Sequence, residues 1–483
     1  MRKIFLSLAA LTIAVAANAF TLKFNNGKAI SITSAVDNAD VLEDGGSVAV
    51  KFDAAKKTIN VTFDNATLKS EVNGELFYFN YDENYTDVEV TLKGKNSLIG
   101  EGQWSQPIKI EGPLNGGSVY AHLSFYSGSP DAELNISGKT ILIQINYNAK
   151  MTFGSTLEIP FDLNITSTSE NQKIFYGSCG KDDSVELQLL CNLNVTTTGN
   201  NQIVGLDGGT GPGKLILGSF CKIRTEGVSV GDNTFVKDEA PYKGNLVLVN
   251  ACPIMVGKDR VYTDEEFKPA GLKSGKISFD KAIGAIVLDN VELSDYIVAM
   301  LNDFSIYLKG DNVLNNPGES TDSRIAILAN NMKITGEKSA KLTIDGNNKC
   351  GAMTLLSNTE IGDFGKLTIK NVTKGIFGAS STVLTLNKTP MDIKTTDGAI
   401  LGFDNIVMAV SGMKWSPEAT YNATAKELQD GDGNLLKEVA LTNPTSINQV
   451  VNSNAVSGKF IRNGQLYIER NGEIFNATGA RVK

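Results

Sequence analysis

Along most of the chain, hydrophobic and polar residues alternate in short runs: SVAVKF (47–52), TINVTF (58–63), VEVTL (88–92), GNLVLVN (244–250), KLTID (341–345) and KLTIK (366–370). Val, Ile, Thr and Leu dominate these runs, and Asn, Asp and Gly end them. The pattern predicts half-buried strands joined by tight turns. No stretch reads as a long amphipathic helix, so the expected fold is all-β. Turn signals every ~8–12 residues suit a sandwich, a barrel or a solenoid equally.

Repetition separates these architectures. VTFDNATL (61–68) recurs as IVLDNVEL (286–293), and TLKGKNSL (91–98) as YLKGDNVL (307–314). Further on, QKIFYGS (172–178) parallels KGIFGAS (374–380), and NVTTTGNNQIVGL (194–206) parallels DIKTTDGAILGF (392–403). Order is kept while the spacing between copies shrinks, as loop deletions would produce. The grammar of strand, Asp/Asn/Gly turn, strand and Gly turn predicts a right-handed parallel β-helix, a solenoid with internal duplication, of about sixteen coils of roughly 20–25 residues. A pair of two-sheet sandwiches is the rival. The expected organisation is a lead or cap over 20–45, a first solenoid half over 46–270 and a second over 271–442. A polar linker over 443–458 and a small C-terminal β-hairpin tail over 459–483 follow. In the tail, Asn463-Gly464 and Asn471-Gly472 signal hairpin turns, implying three short strands with a last turn at Gly479. So short a tail must dock or be recognised by something.

The start of the chain changes the picture of location. Arg2 and Lys3 precede an apolar run from Ile4 to Val15, and Ala17-Asn18-Ala19 stands before Phe20, the pattern of a signal peptide spanning 1–19. The expectation is an exported chain, at the cell surface or extracellular, with the periplasm as the alternative. No later window reaches the roughly 18 apolar residues of a membrane helix. Net charge is −8, from 45 basic and 53 acidic residues without blocks of either sign, which disfavours nucleic acid as a partner. Cys179, Cys191, Cys221, Cys252 and Cys350 lack CxxC spacing, so they read mostly as small buried hydrophobes, with one disulfide among the first three left open.

Candidate chemistry is sparse. GGTGPGKL (208–215) matches a phosphate loop up to Leu215, where Ser or Thr would hold magnesium, and a strand-like LILGSF follows where a helix is needed; a glycine-rich turn is expected and no nucleotide. Asp182, Asp183, Asp207, Asp232, Asp264, Glu265 and Glu266 have no motif-grade spacing. Asp430 and Asp432 in DGDGN resemble the start of a calcium loop without its twelfth-position Glu, so calcium is a minor expectation and a turn the main one. The single histidine, His122 in YAHLSF, is expected on a solvated strand face. Aromatics gather early: Phe77, Tyr78, Phe79, Tyr81, Tyr85, Trp104, Tyr120, Phe125 and Tyr126. Rings beside Asn, Asp and Gln can stack sugars, which makes Tyr81, Tyr85 and Trp104 the candidate ligand-binding residues against packing in the core.

The segments LDNVEL, YLKGDNVL and NMKITGEKSAKLTIDG (331–346) resemble repetitive β-helix proteins exported by gut-type anaerobic bacteria, described as carbohydrate-binding or adhesin-like. The tail KFIRNGQLYIERNGEIFNATGARVK (459–483) resembles a shortened C-terminal sorting segment of the type IX secretion system. That resemblance implies passage across the outer membrane and display or release at the surface. Together these features imply a non-enzymatic protein that binds polysaccharide or another host or microbial surface. The alternatives are a polysaccharide lyase or glycoside hydrolase on the same solenoid, and a purely structural surface protein.

Overall fold

The computed structural model describes residues 21–25, 29–32, 46–81, 85–114, 119–168, 170, 172–301, 303–315, 325–379, 381–442, 457–462, 465–470, 473–476 and 481–482. The segment 1–19 expected to be a signal peptide, most of the expected lead to residue 45, the expected linker over 443–456 and the tail turns at Asn463-Gly464, Asn471-Gly472 and Gly479 lie outside the described residues. Every element among the described residues is a strand.

Between Thr58 and Leu217 the chain visits three parallel ladders in turn, so each strand pairs with the third one after it. The first ladder carries Thr58–Asp64, Asp87–Lys93, Ala121–Ser127, Ala149–Phe153, Val185–Leu189 and Gly213–Leu217. The second carries Thr67–Ser70, Lys95–Gly100, Glu133–Gly138, Asp162–Ser167 and Asn192–Thr197. The third carries Gly74–Asn80, Ser105–Glu111, Ile143–Asn146, Lys173–Ser178 and Gln202–Gly205. One circuit advances the first ladder by 28 to 36 residues.

The plan repeats between Ala285 and Met408, with steps of 20 to 28 residues. Circuits of the first unit are therefore longer than the expected 20–25 residues while those of the second stay near it, and together they number fewer than the expected sixteen. No sheet shares strands between residues 21–250 and 254–442, and the buried apolar residues form two separate clusters, Leu22 to Leu248 and Cys252 to Leu441. Both units open alike. An antiparallel hairpin, Ser47–Asp53 with Thr58–Asp64 or Leu272–Asp280 with Ala285–Leu293, starts the ladders. Both also close alike, with an antiparallel strand, Leu246–Asn250 or Glu438–Thr442, on the last second-ladder strand.

The duplicated sequence motif is a corner. Asn65 and Asn290 adopt the left-handed region (φ 49° and 51°), each donating from Nδ2 to the preceding Asp at 2.8 Å. Their Oδ1 atoms accept the Lys95 and Asp311 N–H groups, both at 3.2 Å. Asn96 and Asn312 are buried behind them, and their Oδ1 atoms accept the Ala66 and Val291 N–H groups, both at 2.9 Å. Each buried amide also donates from Nδ2 to two carbonyls of its own turn and one in the next circuit. The side chain thereby satisfies backbone groups that the turn takes out of the ladder.

The two cores differ. Rings run through the first: Phe24 stacks on Phe77 at 5.3 Å, Phe77 meets Phe125 edge-on at 6.1 Å, Phe125 stacks on Phe153 at 4.9 Å, and Phe153 meets Phe175 at 6.2 Å. The second is mainly aliphatic, with Ile306, Ile334, Leu342, Met353 and Leu384 fully enclosed. At the junction Lys281 reaches Asp162 at 2.6 Å, and Asn192 donates to Thr263 Oγ1 at 3.2 Å. There too the Tyr262 hydroxyl donates to the Phe220 carbonyl at 3.0 Å. The tail forms a four-stranded antiparallel meander, one strand more than the sequence implied, because Arg481–Val482 returns to pair with Glu473–Asn476.

Candidate functional site

Strand parity decides which early aromatics reach the surface. In Gly74–Asn80 the residues Phe77 and Phe79 point into the core, so Tyr78 between them points out. Lys173–Ser178 repeats this, with Phe175 inside and Tyr176 outside. Register aligns the outward residues of the third ladder into one row: Lys23, Tyr78, Lys109, Gln144, Tyr176. A second row beside it carries Asn80, Glu111, Asn146 and Ser178.

These side chains are organised by one another. Lys109 lies 2.9 Å from Glu111 and 3.6 Å from Glu75, and its ammonium sits 5.5 Å from the Tyr78 ring centroid. Lys23 reaches Glu75 at 3.2 Å from the neighbouring antiparallel strand. The Tyr78 hydroxyl donates to Glu111 Oε2 at 2.5 Å, and Asn146 Nδ2 donates to Glu111 Oε1 at 3.3 Å. Gln144 Nε2 donates to Asn146 Oδ1 at 3.1 Å, while the enclosed Gln144 Oε1 has no protein partner. At the far end, Lys173 lies over the Tyr176 ring at 5.5 Å and pairs with Asp207 at 2.6 Å.

The electrostatics favour fixed charges over proton transfer. Burial alone would push the Glu111 carboxyl up, but hydrogen bonds from Tyr78, Lys109 and Asn146 outweigh it and hold the group below its ordinary value. Glu75 behaves likewise: burial opposes ionisation, while its own backbone N–H and Lys23 more than compensate. Tyr78 is pushed far up, first by burial and then by donating to Glu111. A general acid needs a raised carboxyl. This face offers instead partly exposed ring surface beside groups that stay charged at neutral pH and amides.

The equivalent row of the second unit is Met255, Val298, Leu328, Thr354, Phe377 and Leu401, which carries no charge. The polar and aromatic row therefore belongs to the first unit alone. A groove of about 340 Å³ does lie on the second unit, lined by Asp303, Asn331, Lys333, Asn358, Glu360 and Thr385. Much of its polar capacity is spent internally, Asn331 on Asp303 at 2.9 Å and Lys333 on Glu360 at 3.1 Å.

The residues singled out from sequence are dispersed. Tyr85 is 6% exposed and meets Phe52 edge-on at 5.5 Å, so it belongs to the core. Tyr81 packs against the same core. Trp104 is 64% exposed on a turn where its backbone N–H donates to Asn73 Oδ1 at 2.8 Å. Tyr78 stood in the early aromatic cluster but was not chosen, and Lys109, Glu111, Gln144 and Tyr176 were missed; for the two tyrosines the available signal was a Tyr beside an inward Phe in FYF and IFYG. His122 faces outward, 3.0 Å from Asp87, in keeping with the expected solvated face.

Other sequence candidates resolve into structure. Asp183 is buried and accepts from Asn148 at 2.7 Å, and Asp264 and Glu265 pair with Arg224. Asp430 accepts the N–H groups of Asp432 and Asn434, which closes DGDGN on itself. Among the described residues no three His, Cys, Asp or Glu side chains are grouped to hold a metal ion. The glycine-rich run leads into the strand Gly213–Leu217, and a Cβ on Gly209 would lie 2.0 Å from the Cys179 carbonyl oxygen. All five cysteines are free thiols, so the disulfide left open in the sequence is not formed. No helix among the described residues is long and apolar enough to cross a membrane. Compared with known proteins, the chain matches no family model, no curated protein and no solved structure.

Proposed function

We propose that this chain is an exported, cell-surface protein, built as a right-handed parallel β-helix in two fused halves, that binds polysaccharide or another surface without cleaving it. Three parallel ladders visited in strict rotation are the pairing a β-helix requires, and right-handed crossovers are the rule for parallel strands. The observation that carries the binding role is the row Tyr78, Lys109, Gln144, Tyr176, where two rings three strands apart flank held polar groups. Tyr rings supply apolar area of fixed geometry, and the neighbouring amides and charges supply hydrogen-bond partners for hydroxyls. The depressed Glu75 and Glu111 suit recognition better than acid catalysis. Export rests on the segment 1–19, and surface display on the sorting-like tail.

A glycan array with protein spanning residues 20–483 tests the reading. Retention of neutral oligosaccharides, lost when Tyr78 and Tyr176 are both replaced by Ala, is the expected result. An array negative throughout, or binding indifferent to both substitutions, refutes it. N-terminal sequencing of the exported protein should begin at Phe20.

A further inference from the structure

Where the first unit hands over to the second, a cavity of about 250 Å³ opens between loops of both, lined by Ser155, Ser219, Phe220, Asn250, Cys252 and Arg260. Arg260 is the only charged residue in this lining. Its guanidinium lies over the Phe220 ring, 4.0 Å from the centroid, and Phe220 is half exposed. Two other arginines spend their donors on carboxylates: Arg224 on Asp264 and Glu265, Arg481 on Glu473. The Arg260 guanidinium has no hydrogen-bond or ion-pair partner among the described residues. Its planar donor fork is thus held by an aromatic face at the wall of a cavity and left unspent, in a chain of net charge −8.

The geometry points to a subsite for one carboxylate-bearing sugar residue, a uronate, with the carboxylate bidentate on Arg260. A fork of this kind matches a planar carboxylate. The Ser155 and Ser219 hydroxyls on the wall are suited to ring hydroxyls, and the volume, below the roughly 300–1,000 Å³ of drug-sized sites, fits a single residue. The inference rests on the saccharide-binding reading above but uses a different site, about the junction and not along the Tyr78 row.

The test uses protein spanning residues 20–483 labelled with ¹⁵N-arginine, titrated separately with glucuronate, glucose, acetate and inorganic phosphate. The Arg260 side-chain signal, assigned by its loss in Arg260→Lys, should shift saturably with glucuronate at millimolar concentration and stay still with glucose. Acetate or phosphate binding as tightly as glucuronate would reduce the site to a general anion site and overturn the sugar assignment. A signal unmoved by glucuronate overturns the proposal outright. Phe220→Ala should weaken glucuronate binding at least fivefold, and neutral oligosaccharide retention through Tyr78 and Tyr176 should be unchanged in both variants. Loss of that retention in wild-type protein would instead count against the broader reading.

Discussion

Replacing Asn96 by Ala tests whether the duplicated corner stabilises the fold. The Asn96 side chain is fully enclosed, and its amide accepts the Ala66 N–H at 2.9 Å and donates to the Lys93 carbonyl at 3.1 Å, with longer contacts to Gly94 and Glu133. Ala66 is itself 1% exposed, so its N–H gains no water when the acceptor is removed. Losing a net hydrogen bond costs about 1 kcal/mol, and an unsatisfied buried donor about 1–3 kcal/mol, which together give about 2–4 kcal/mol. With a guanidinium slope of about 4 kcal/mol/M, the midpoint of first-unit unfolding should fall by about 0.5–1 M. Asn312→Ala should destabilise the second unit by the same amount, because its bonds repeat those of Asn96 almost to the tenth of an ångström. Asn60→Ala, on an exposed strand position, serves as control and should change stability by less than about 0.5 kcal/mol. Equal shifts for Asn96→Ala and Asn60→Ala in equilibrium denaturation followed by circular dichroism would refute the reasoning.

Acid should loosen the first unit. Glu75 and Glu111 are held below the ordinary value of 4.5, so their contribution is present above that pH and is lost as pH falls through the lower folded values. A melting series from pH 6 to pH 2 should show this loss, flattened in the Glu75→Gln, Glu111→Gln double variant; an unchanged slope would remove the two carboxylates as its cause. Gly46→Ala should destabilise by at least about 1–3 kcal/mol, since φ is +93° and the new Cβ would lie 2.1 Å from the Asn65 carbonyl oxygen. A melting temperature within error of wild type would contradict it. Burial pushes Cys221 and Cys252 up to about 12 and Cys350 up to about 11, so native protein should react slowly with a thiol reagent at neutral pH. All five thiols should titrate after unfolding without reductant, and fewer than five would mean a disulfide.

Much of the architecture was legible because alternation and turn chemistry are local. TINVTF and KLTID read as strands and form them, and the DN and LKGxN copies mark corners with matching bonds. The length of a circuit was not legible, because nothing in a strand states how many strands intervene before its partner. Register failed at one informative place. Aligning QKIFYGS with KGIFGAS matches Phe175 to Phe377, yet Phe175 is buried and Phe377 faces outward, the true counterpart of Tyr176. A slip of one residue exchanges the two faces of a strand. The same parity problem hid the candidate face: Tyr78 and Tyr85 look alike in composition, and only pairing shows that one is outside and the other enclosed. The junction cavity brings Phe220 to Arg260 from different units, a proximity that sequence spacing does not encode.

The repeated opening hairpin and closing strand have a consequence for how this chain tolerates damage. Because each unit begins and ends its own ladders and encloses its own apolar cluster, packing energy is shared mainly among neighbouring circuits and very little of it passes from one unit to the other. Cooperativity should therefore weaken near residues 250–254, leaving two subglobal unfolding steps joined by a few ties such as Lys281 to Asp162, Arg260 over Phe220 and Ile159 against the second cluster. A lesion in either core is contained, and the surface carried by the other remains folded.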